Sequence, residues 1–98
     1  MKYFVAFPTP SIEKKFYKAL DSIDSKETRE TILKSLESLA DNPRPFGEPK
    51  IKPPIFVYHY TAQYRVKVGR YRILYDVDDK NKVVLVLDLR KRSERTYK

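Results

Sequence analysis

The segment from Tyr64 to Val77 most strongly restricts what this chain can fold into, because apolar and polar side chains largely alternate along it. The alternation runs over residues 64–68 and again over 71–77, and Gly69-Arg70 separates the two runs. A period of two is typical of a strand with one buried face, and a two-residue loop that begins with glycine favours a type II′ turn. The segment therefore predicts an antiparallel β-hairpin.

The two-residue loop also determines which side chains of the hairpin face each other. Lys67 then lies directly opposite Arg72, and Arg65 shares their face two residues before Lys67. The opposite face is apolar and carries Tyr64, Val66, Val68, Tyr71, Ile73 and Tyr75. Like charges directly opposite each other destabilise a sheet, so the basic face predicts an anion site whose ligand offsets the repulsion. The alternative is a solvated strand face with Asp76 as counter-charge.

Two helices are predicted before the hairpin, because apolar residues there recur every three or four positions. The first begins at Thr9-Pro10-Ser11, where Thr9 or Ser11 is the N-cap, and the second begins at Asp24-Ser25. Asn42-Pro43 ends the second helix. The apolar faces are Ile12, Phe16, Ala19, Leu20 and Ile23 in the first helix, and Ile32, Leu33, Leu36, Leu39 and Ala40 in the second.

The remaining elements complete an α+β architecture. Lys2 to Phe7 predicts a short first strand, and the almost continuously apolar run Val83–Leu89 suits the centre of a sheet. The proline-rich run Pro43–Pro54 predicts a connection, and residues 56–60 either lead into or form part of the second strand. The order β-α-α-β-β-β predicts a single domain over residues 1–98, with a small antiparallel sheet and the helical hairpin packed on one face.

Composition excludes several classes of function. The 98 residues include no cysteine and one histidine, His59, which excludes disulfides, thiolate nucleophiles and Cys-based or multi-His metal sites within one chain. We expect no metal and no small-molecule cofactor. Asp76, Asp78 and Asp79 lack the glycine and glutamate of a calcium loop and predict a solvated turn. His59 is either a weak candidate for a general base or a surface or packed histidine.

The chain shows no sign of a membrane segment. No apolar run approaches the roughly 20 residues that span a bilayer. The N-terminal residues carry no apolar core of a signal peptide. We therefore expect a cytoplasmic protein with no membrane partner.

Positive charge is concentrated in the last third of the chain. The formal net charge is +8; residues 1–64 carry 10 basic and 8 acidic side chains, and residues 65–98 carry 11 and 5. This excess predicts a polyanionic partner, nucleic acid or an acidic protein, unless it only maintains solubility. The final eleven residues add basic side chains that bind phosphate and Tyr97, which can stack on a base. A frayed basic tail is the alternative.

The run Tyr64–Tyr75, YRVKVGRYRILY, resembles the signature hairpin of the RelE/ParE toxin superfamily. In that family an arginine or lysine precedes a glycine. The glycine is followed by Tyr-Arg, then by two aliphatic residues and a tyrosine. The helical hairpin, the run Asn42-Pro43-Arg44 and the basic end Tyr97-Lys98 are also similar to family members. The resemblance covers essentially the whole chain and implies the toxin of a type II toxin–antitoxin pair, with a cognate acidic antitoxin as partner.

The family contains two kinds of activity, and the resemblance leaves both open. RelE-type members cleave mRNA on the ribosome, in the A site, without metal and with the 2′-OH as nucleophile. ParE-type members inhibit DNA gyrase instead. We expect the RelE-type activity from the basic cluster; a ParE-type inhibitor and an inactive basic nucleic-acid-binding module are the alternatives.

The resemblance also implies catalytic roles for particular residues. They are Arg65, Lys67 and Arg72 in the hairpin, Arg90 or Arg92 as the phosphate-stabilising arginine, and Tyr97 as the C-terminal tyrosine. Clustered cations stabilise the negative charge that builds on phosphorus during 2′-OH attack, and a lysine or tyrosine can assist proton transfer. After Leu89 the chain has Arg-Lys-Arg-Ser-Glu-Arg in place of the histidine-arginine pair of many members, so Arg90 and Arg92 remain alternatives.

Overall fold

Two helices and six strands make up the part of the chain that the computed structural model describes, residues 2–45 and 50–91. In chain order they are β1 (Phe4–Ala6), α1 (Pro10–Asp21), α2 (Lys26–Ser38), β2 (Ile55–Val57), β3 (Tyr60–Ala62), β4 (Tyr64–Val68), β5 (Tyr71–Asp78) and β6 (Val83–Lys91). A four-stranded sheet has the order β1-β6-β5-β4, and β2 and β3 form a separate two-stranded sheet. The fold is α+β, as the sequence predicts.

Both helices begin at side-chain caps. Thr9, rather than Ser11, caps α1, because its Oγ1 accepts a hydrogen bond from the Ile12 amide at 3.1 Å. Ser25 caps α2 in the same way. The helix α2 ends at Ser38, earlier than the predicted Asn42-Pro43, and residues 39–41 continue as turns whose amides donate to carbonyls three residues earlier. The Ala40 carbonyl accepts a hydrogen bond from the Tyr3 amide at 2.7 Å. In the described part of the chain, neither helix is long and apolar enough to cross a membrane.

The β4–β5 hairpin has the predicted register. Tyr64 pairs with Tyr75 and Lys67 pairs with Arg72. Gly69 has φ +60°, while Arg70 does not have a positive φ, which agrees with a type II′ turn. The apolar face of this hairpin is buried against the helices. The core on that side consists of Phe16, Leu20, Ile23, Ile32, Leu36 and Leu39 from the helical region and Tyr64, Val66, Val68, Ile73, Tyr75, Val84, Val86 and Leu89 from the strands.

The main sheet is predominantly but not wholly antiparallel, which corrects the prediction. Strand β1 runs parallel to β6, with Phe4 beside Val83, while the β4–β5 and β5–β6 pairs are antiparallel. Strand β6 pairs with β5 on one side and with β1 on the other, so the apolar strand β6 has a hydrogen-bonded neighbour along both edges. Strand β6 is therefore internal, as predicted, and it extends past Leu89 to Lys91.

The face of the main sheet that points away from the helices, called the second face below, is also partly covered. The sequence predicts that residues 56–60 either lead into or form part of the second strand, but residues 55–62 form the separate β2–β3 hairpin, which lies on the second face. This hairpin buries Val57 and Ala62 against Leu74 and Leu87 of the main sheet. Leu74 and Leu87 are apolar side chains on this face, and their burial under the hairpin stabilises this second layer.

Candidate functional site

A β-bulge in β6 determines which of its side chains reach the second face. Leu74 pairs with Asp88 whereas Tyr75 pairs with Val86, so Leu87 is the extra residue. Val86 before the bulge and Leu89 after it both join the helix-side core. Without the bulge, strict alternation from Val86 would direct Asp88 and Arg90 into that core. With the bulge, the side chain of Arg90 belongs to the second face.

Three cations lie side by side across three adjacent strands on this face. Lys67 of β4 pairs with Arg72 of β5, and Arg72 pairs with Arg90 of β6. We call Lys67, Arg72 and Arg90 the cation row. Side chains directly opposite each other have Cβ atoms about 4.5–5.5 Å apart, so one anion can contact neighbouring members of the row. Arg65 is on the same face and pairs with Leu74 in the next cross-strand row.

The second face and the segment Ile51–Ile55 enclose a groove of about 470 Å³. Its lining residues are Ile51, Pro53, Pro54, Ile55, Arg65, Arg72, Leu74, Arg90 and Lys91. Within the segment Ile51–Ile55, the lining side chains Ile51, Pro53, Pro54 and Ile55 are called the apolar wall below, while Lys52 is exposed and does not line the groove. The segment is held at its start by a 2.8 Å hydrogen bond from the Ile51 amide to the Gln63 carbonyl. At its end, Ile55 pairs with Ala62 of β3. The groove thus combines an apolar side with a strongly basic one.

The Asp88 carboxylate is in direct contact with the cation row, through Arg90. Its Oδ2 accepts a hydrogen bond from Arg90 Nε at 2.7 Å, and the two side chains are 27% and 44% exposed. Asp76, the predicted counter-charge, instead accepts a hydrogen bond from Gln63 Nε2 at 3.3 Å. Because the Asp88–Arg90 ion pair is partly exposed, a phosphate can compete with Asp88 for Arg90.

The structure brings together four of the six site residues predicted from the sequence. Arg65, Arg72 and Arg90 line the groove, and Lys67 joins them through its pairing with Arg72. The other two, Arg92 and Tyr97, lie outside the described residues. Sequence reasoning missed the contributions of the apolar wall and of Asp88, since neither has a recognisable spacing; the proline-rich composition of residues 43–54 was the one available signal.

The residues that the sequence left as weak candidates lie elsewhere. His59 is exposed in the turn between β2 and β3 and does not line the groove. Asp78 accepts hydrogen bonds from the backbone and side chain of Asn81, which lower the pKa of its carboxyl, as in a capped turn. Within residues 2–45 and 50–91, no group of three or more Asp, Glu or His side chains could hold a metal ion.

A polar network anchors the start of the connection that leads to the apolar wall. Arg44 donates to Asp79 Oδ2 at 2.7 Å and to the Tyr64 hydroxyl at 3.2 Å. These hydrogen bonds raise the pKa of the Arg44 guanidinium above its ordinary value. The Arg44 bond, with a second one from Tyr3 at 2.5 Å, lowers the pKa of the Asp79 carboxyl. Tyr75 donates to the Pro43 carbonyl at 2.7 Å, and burial raises the pKa of Tyr75 to about 12.

Comparison with known proteins places these features in a family context. The model of the ParE toxin of the type II toxin–antitoxin system parDE matches residues 8–96. No curated protein sequence matches the chain.

Several solved structures have a similar fold. The archaeal RelE–RelB complex from Pyrococcus horikoshii OT3 contains a chain with 28% identity and a TM-score of 0.69, and the match covers 96% of this chain and 99% of that one. The RelBE2 complex from Mycobacterium tuberculosis gives 20% identity and a TM-score of 0.64, with coverages of 94% and 100%. The intact E. coli RelBE complex contains a chain with 24% identity and a TM-score of 0.58, and the match covers 95% of this chain and 99% of that one.

Proposed function

This chain belongs to the ParE toxin family of type II toxin–antitoxin systems, and from that premise we propose that it is a ribosome-dependent endoribonuclease. It cleaves mRNA by attack of a 2′-OH on the adjacent phosphorus, with no metal ion. The bond from phosphorus to the 5′ oxygen of the next nucleotide breaks, the 2′-OH loses its proton and the leaving 5′ oxygen gains one, so the products are a 2′,3′-cyclic phosphate and a 5′-hydroxyl. The observation that carries the proposal is the cation row, which borders a groove on the second face. The likeness to the RelE chain of the archaeal RelE–RelB complex, at 28% identity over 96% of this chain, supports the RelE type of activity.

The cation row suits the charge that develops in this reaction. Attack by the 2′-OH produces a five-coordinate phosphorus whose non-bridging oxygens carry additional negative charge. Arg72 and Arg90 lie on adjacent strands, and each guanidinium can offer a pair of N–H donors to two phosphate oxygens. Fixed donors of this kind, held on strands rather than loops, stabilise the transition state without needing to reorganise during the reaction.

The remaining predicted residues have supporting roles. Arg65 extends the basic surface along β4 towards the next phosphate of the RNA strand. Lys67 and Tyr97 are the candidates for proton transfer to and from the reacting oxygens. Asp88 holds Arg90 in place until the substrate phosphate competes for its guanidinium.

The partner that controls the toxin is, in this proposal, a cognate acidic antitoxin. The similar structures include toxin–antitoxin complexes from Pyrococcus horikoshii, Mycobacterium tuberculosis and E. coli. The net charge of +8 on this chain supports an antitoxin segment rich in Asp and Glu.

Inhibition of DNA gyrase is the second candidate function, because the matching family model describes a ParE toxin. One experiment separates the two. The purified full chain is added to a translating extract and to a gyrase supercoiling reaction. We expect new mRNA 5′ ends that appear only when ribosomes are present, and unchanged supercoiling. Inhibited supercoiling with intact mRNA would establish the ParE-type function instead.

A further inference from the structure

We propose that the groove is a nucleotide subsite in which the apolar wall contacts one RNA base while the cation row binds the adjacent phosphate. The apolar wall then determines which base is preferred at the cleaved position. This inference rests on the proposed nuclease function and adds a base-recognition element to it.

The two sides of the groove match the two parts of a nucleotide. One side consists of the aliphatic and proline side chains of the apolar wall, together with Leu74 from the sheet. The other side carries Arg65, Arg72, Arg90 and Lys91. A nucleotide has a flat, largely apolar base joined to a charged phosphate, and the groove volume of about 470 Å³ falls in the range of about 300–1,000 Å³ found for small-ligand sites.

The apolar wall is anchored at both ends in the ligand-free protein. Ile51 is tied to Gln63 by its backbone amide, and both Ile51 and Ile55 pack against the small core that contains Val57 and Leu74. The rings of Pro53 and Pro54 restrict the backbone between these two anchors. A preformed surface loses little conformational entropy on binding, so contact with a base contributes to affinity with little offsetting cost.

The outer side of the β2–β3 hairpin offers a competing surface for a base. Phe56 is 77% exposed, and an exposed aromatic ring is a common stacking platform. However, Ile55 and Val57 on either side of it pack towards the main sheet, so alternation along β2 directs Phe56 away from the groove and the cation row. A base held on Phe56 would therefore lie on the opposite side of the hairpin from the phosphate-binding cations.

The test measures the binding of two trinucleotides to the full chain by NMR titration at low salt. Both carry 2′-deoxy sugars at the first and central positions, which removes the nucleophile at each of the two phosphodiesters and prevents cleavage, and one of them lacks the central base. We expect wild type to bind the complete trinucleotide about tenfold more tightly than the abasic one, equivalent to about 1.4 kcal/mol. Exchanging the central base among the four bases should change the affinity, while the abasic trinucleotide supplies the reference.

Three variants locate the base contact. Pro54→Ser trims an exposed residue of the wall and should reduce the tenfold ratio to near one, with the affinity for the abasic trinucleotide unchanged. Lys67→Gln should weaken both trinucleotides by the same factor. Phe56→Ser, which removes an exposed apolar side chain two residues further along the chain, on the outer side of the β2–β3 hairpin, should leave the ratio unchanged. Thermal melts show whether each variant is folded.

The outcomes against the proposal are distinct from failure of the nuclease function. Equal affinity of wild type for the two trinucleotides would overturn the subsite even if mRNA is cleaved. A ratio lost in Phe56→Ser but kept in Pro54→Ser would place the base on the outer side of the hairpin and also overturn it. Binding of a glutamate-rich peptide with no binding of either trinucleotide would assign the groove to a protein partner. A tenfold ratio without mRNA cleavage would retain the subsite and refute the nuclease.

Discussion

Replacing Lys67 by glutamine should make the protein more stable and, at the same time, nearly inactive. Lys67 is exposed, lies directly opposite Arg72, and has Arg65 two residues away on the same face. Glutamine keeps most of the length of the side chain and removes its charge. If the cation row binds a phosphate, the free protein carries a repulsion that its substrate relieves, so the same substitution should have opposite effects on stability and activity.

The size of the stability change follows from the separation of the charges. Two unit charges held about 7 Å apart in water repel each other by about 0.6 kcal/mol, within the roughly 0.2–1 kcal/mol found for directly opposed side chains in sheets. Lys67 faces two such neighbours, so its neutralisation should stabilise the fold by about 0.5–1 kcal/mol. For a domain of this size, this corresponds to a rise in Tm of roughly 2–8 °C.

Two measurements on the same variant test this reasoning. Thermal melts at low ionic strength give the change in Tm, which should shrink in 1 M salt, where the Debye length falls to about 3 Å. Primer extension on mRNA from a translating extract gives the cleavage rate, which should fall by about 10²-fold if Lys67 stabilises charge in the transition state.

Lys14→Gln is the matched control, because it removes the same charge from an exposed position on α1, outside the groove. It should leave cleavage unchanged. A Lys67→Gln protein that cleaves mRNA at the wild-type rate would show that the cation row is not the active site. A lower Tm would refute the repulsion argument.

Three further predictions concern the partner, the C-terminus and the fold. Association with the antitoxin should slow steeply as salt is raised, as measured by stopped flow, because opposite charges steer the encounter; a rate indifferent to salt would contradict this. Deleting Ser93–Lys98 should leave a folded protein that still binds its antitoxin, by thermal melt and pull-down, but abolish most mRNA cleavage. If the Tyr97 ring stacks on a base, Tyr97→Phe should retain activity, whereas loss of the ring should lower the cleavage rate roughly ten- to hundredfold. Full cleavage by the truncated chain would show that residues 93–98 are dispensable. Tyr75→Phe should cost about 1 kcal/mol at pH 7 through loss of the bond to the Pro43 carbonyl. Since the pKa of Tyr75 is raised to about 12 in the folded protein, its stabilising contribution is complete below about pH 10 and is lost as the pH rises towards 12. A difference in urea-unfolding free energy between wild type and Tyr75→Phe that stays constant across this range would contradict the prediction.

The β4–β5 hairpin shows how far local sequence information can reach. Alternation and a glycine-led loop were enough to predict that Lys67 faces Arg72, and the register agrees. A two-residue loop leaves only one register, and a slip by one residue would expose the whole apolar face. The starts of both helices were predictable for a similar reason, because the capping side chain is within three residues of the amide that it accepts from.

The position of Arg90 shows where that information ends. The sequence left Arg90 and Arg92 as alternatives, and simple alternation along β6 would have directed Arg90 into the core. The bulge at Leu87 reverses the alternation and places Arg90 beside Arg72. A bulge forms because Leu87 and Leu89 must both be buried, one on each face of the sheet, and this requirement exists only once both layers are present.

The amino-acid sequence by itself therefore determined the helices, the central hairpin with its basic face, and the family. These depend on periodicity, capping and turn chemistry, which act over a few neighbouring residues. The tertiary structure alone decided that β1 joins β6 in parallel, that the β2–β3 hairpin covers the second face, and that Ile51–Ile55 becomes the wall of a groove. Each of these depends on which distant apolar surfaces are buried together, here Val57 and Ala62 against Leu74 and Leu87, and burial of that kind leaves no local pattern along the chain.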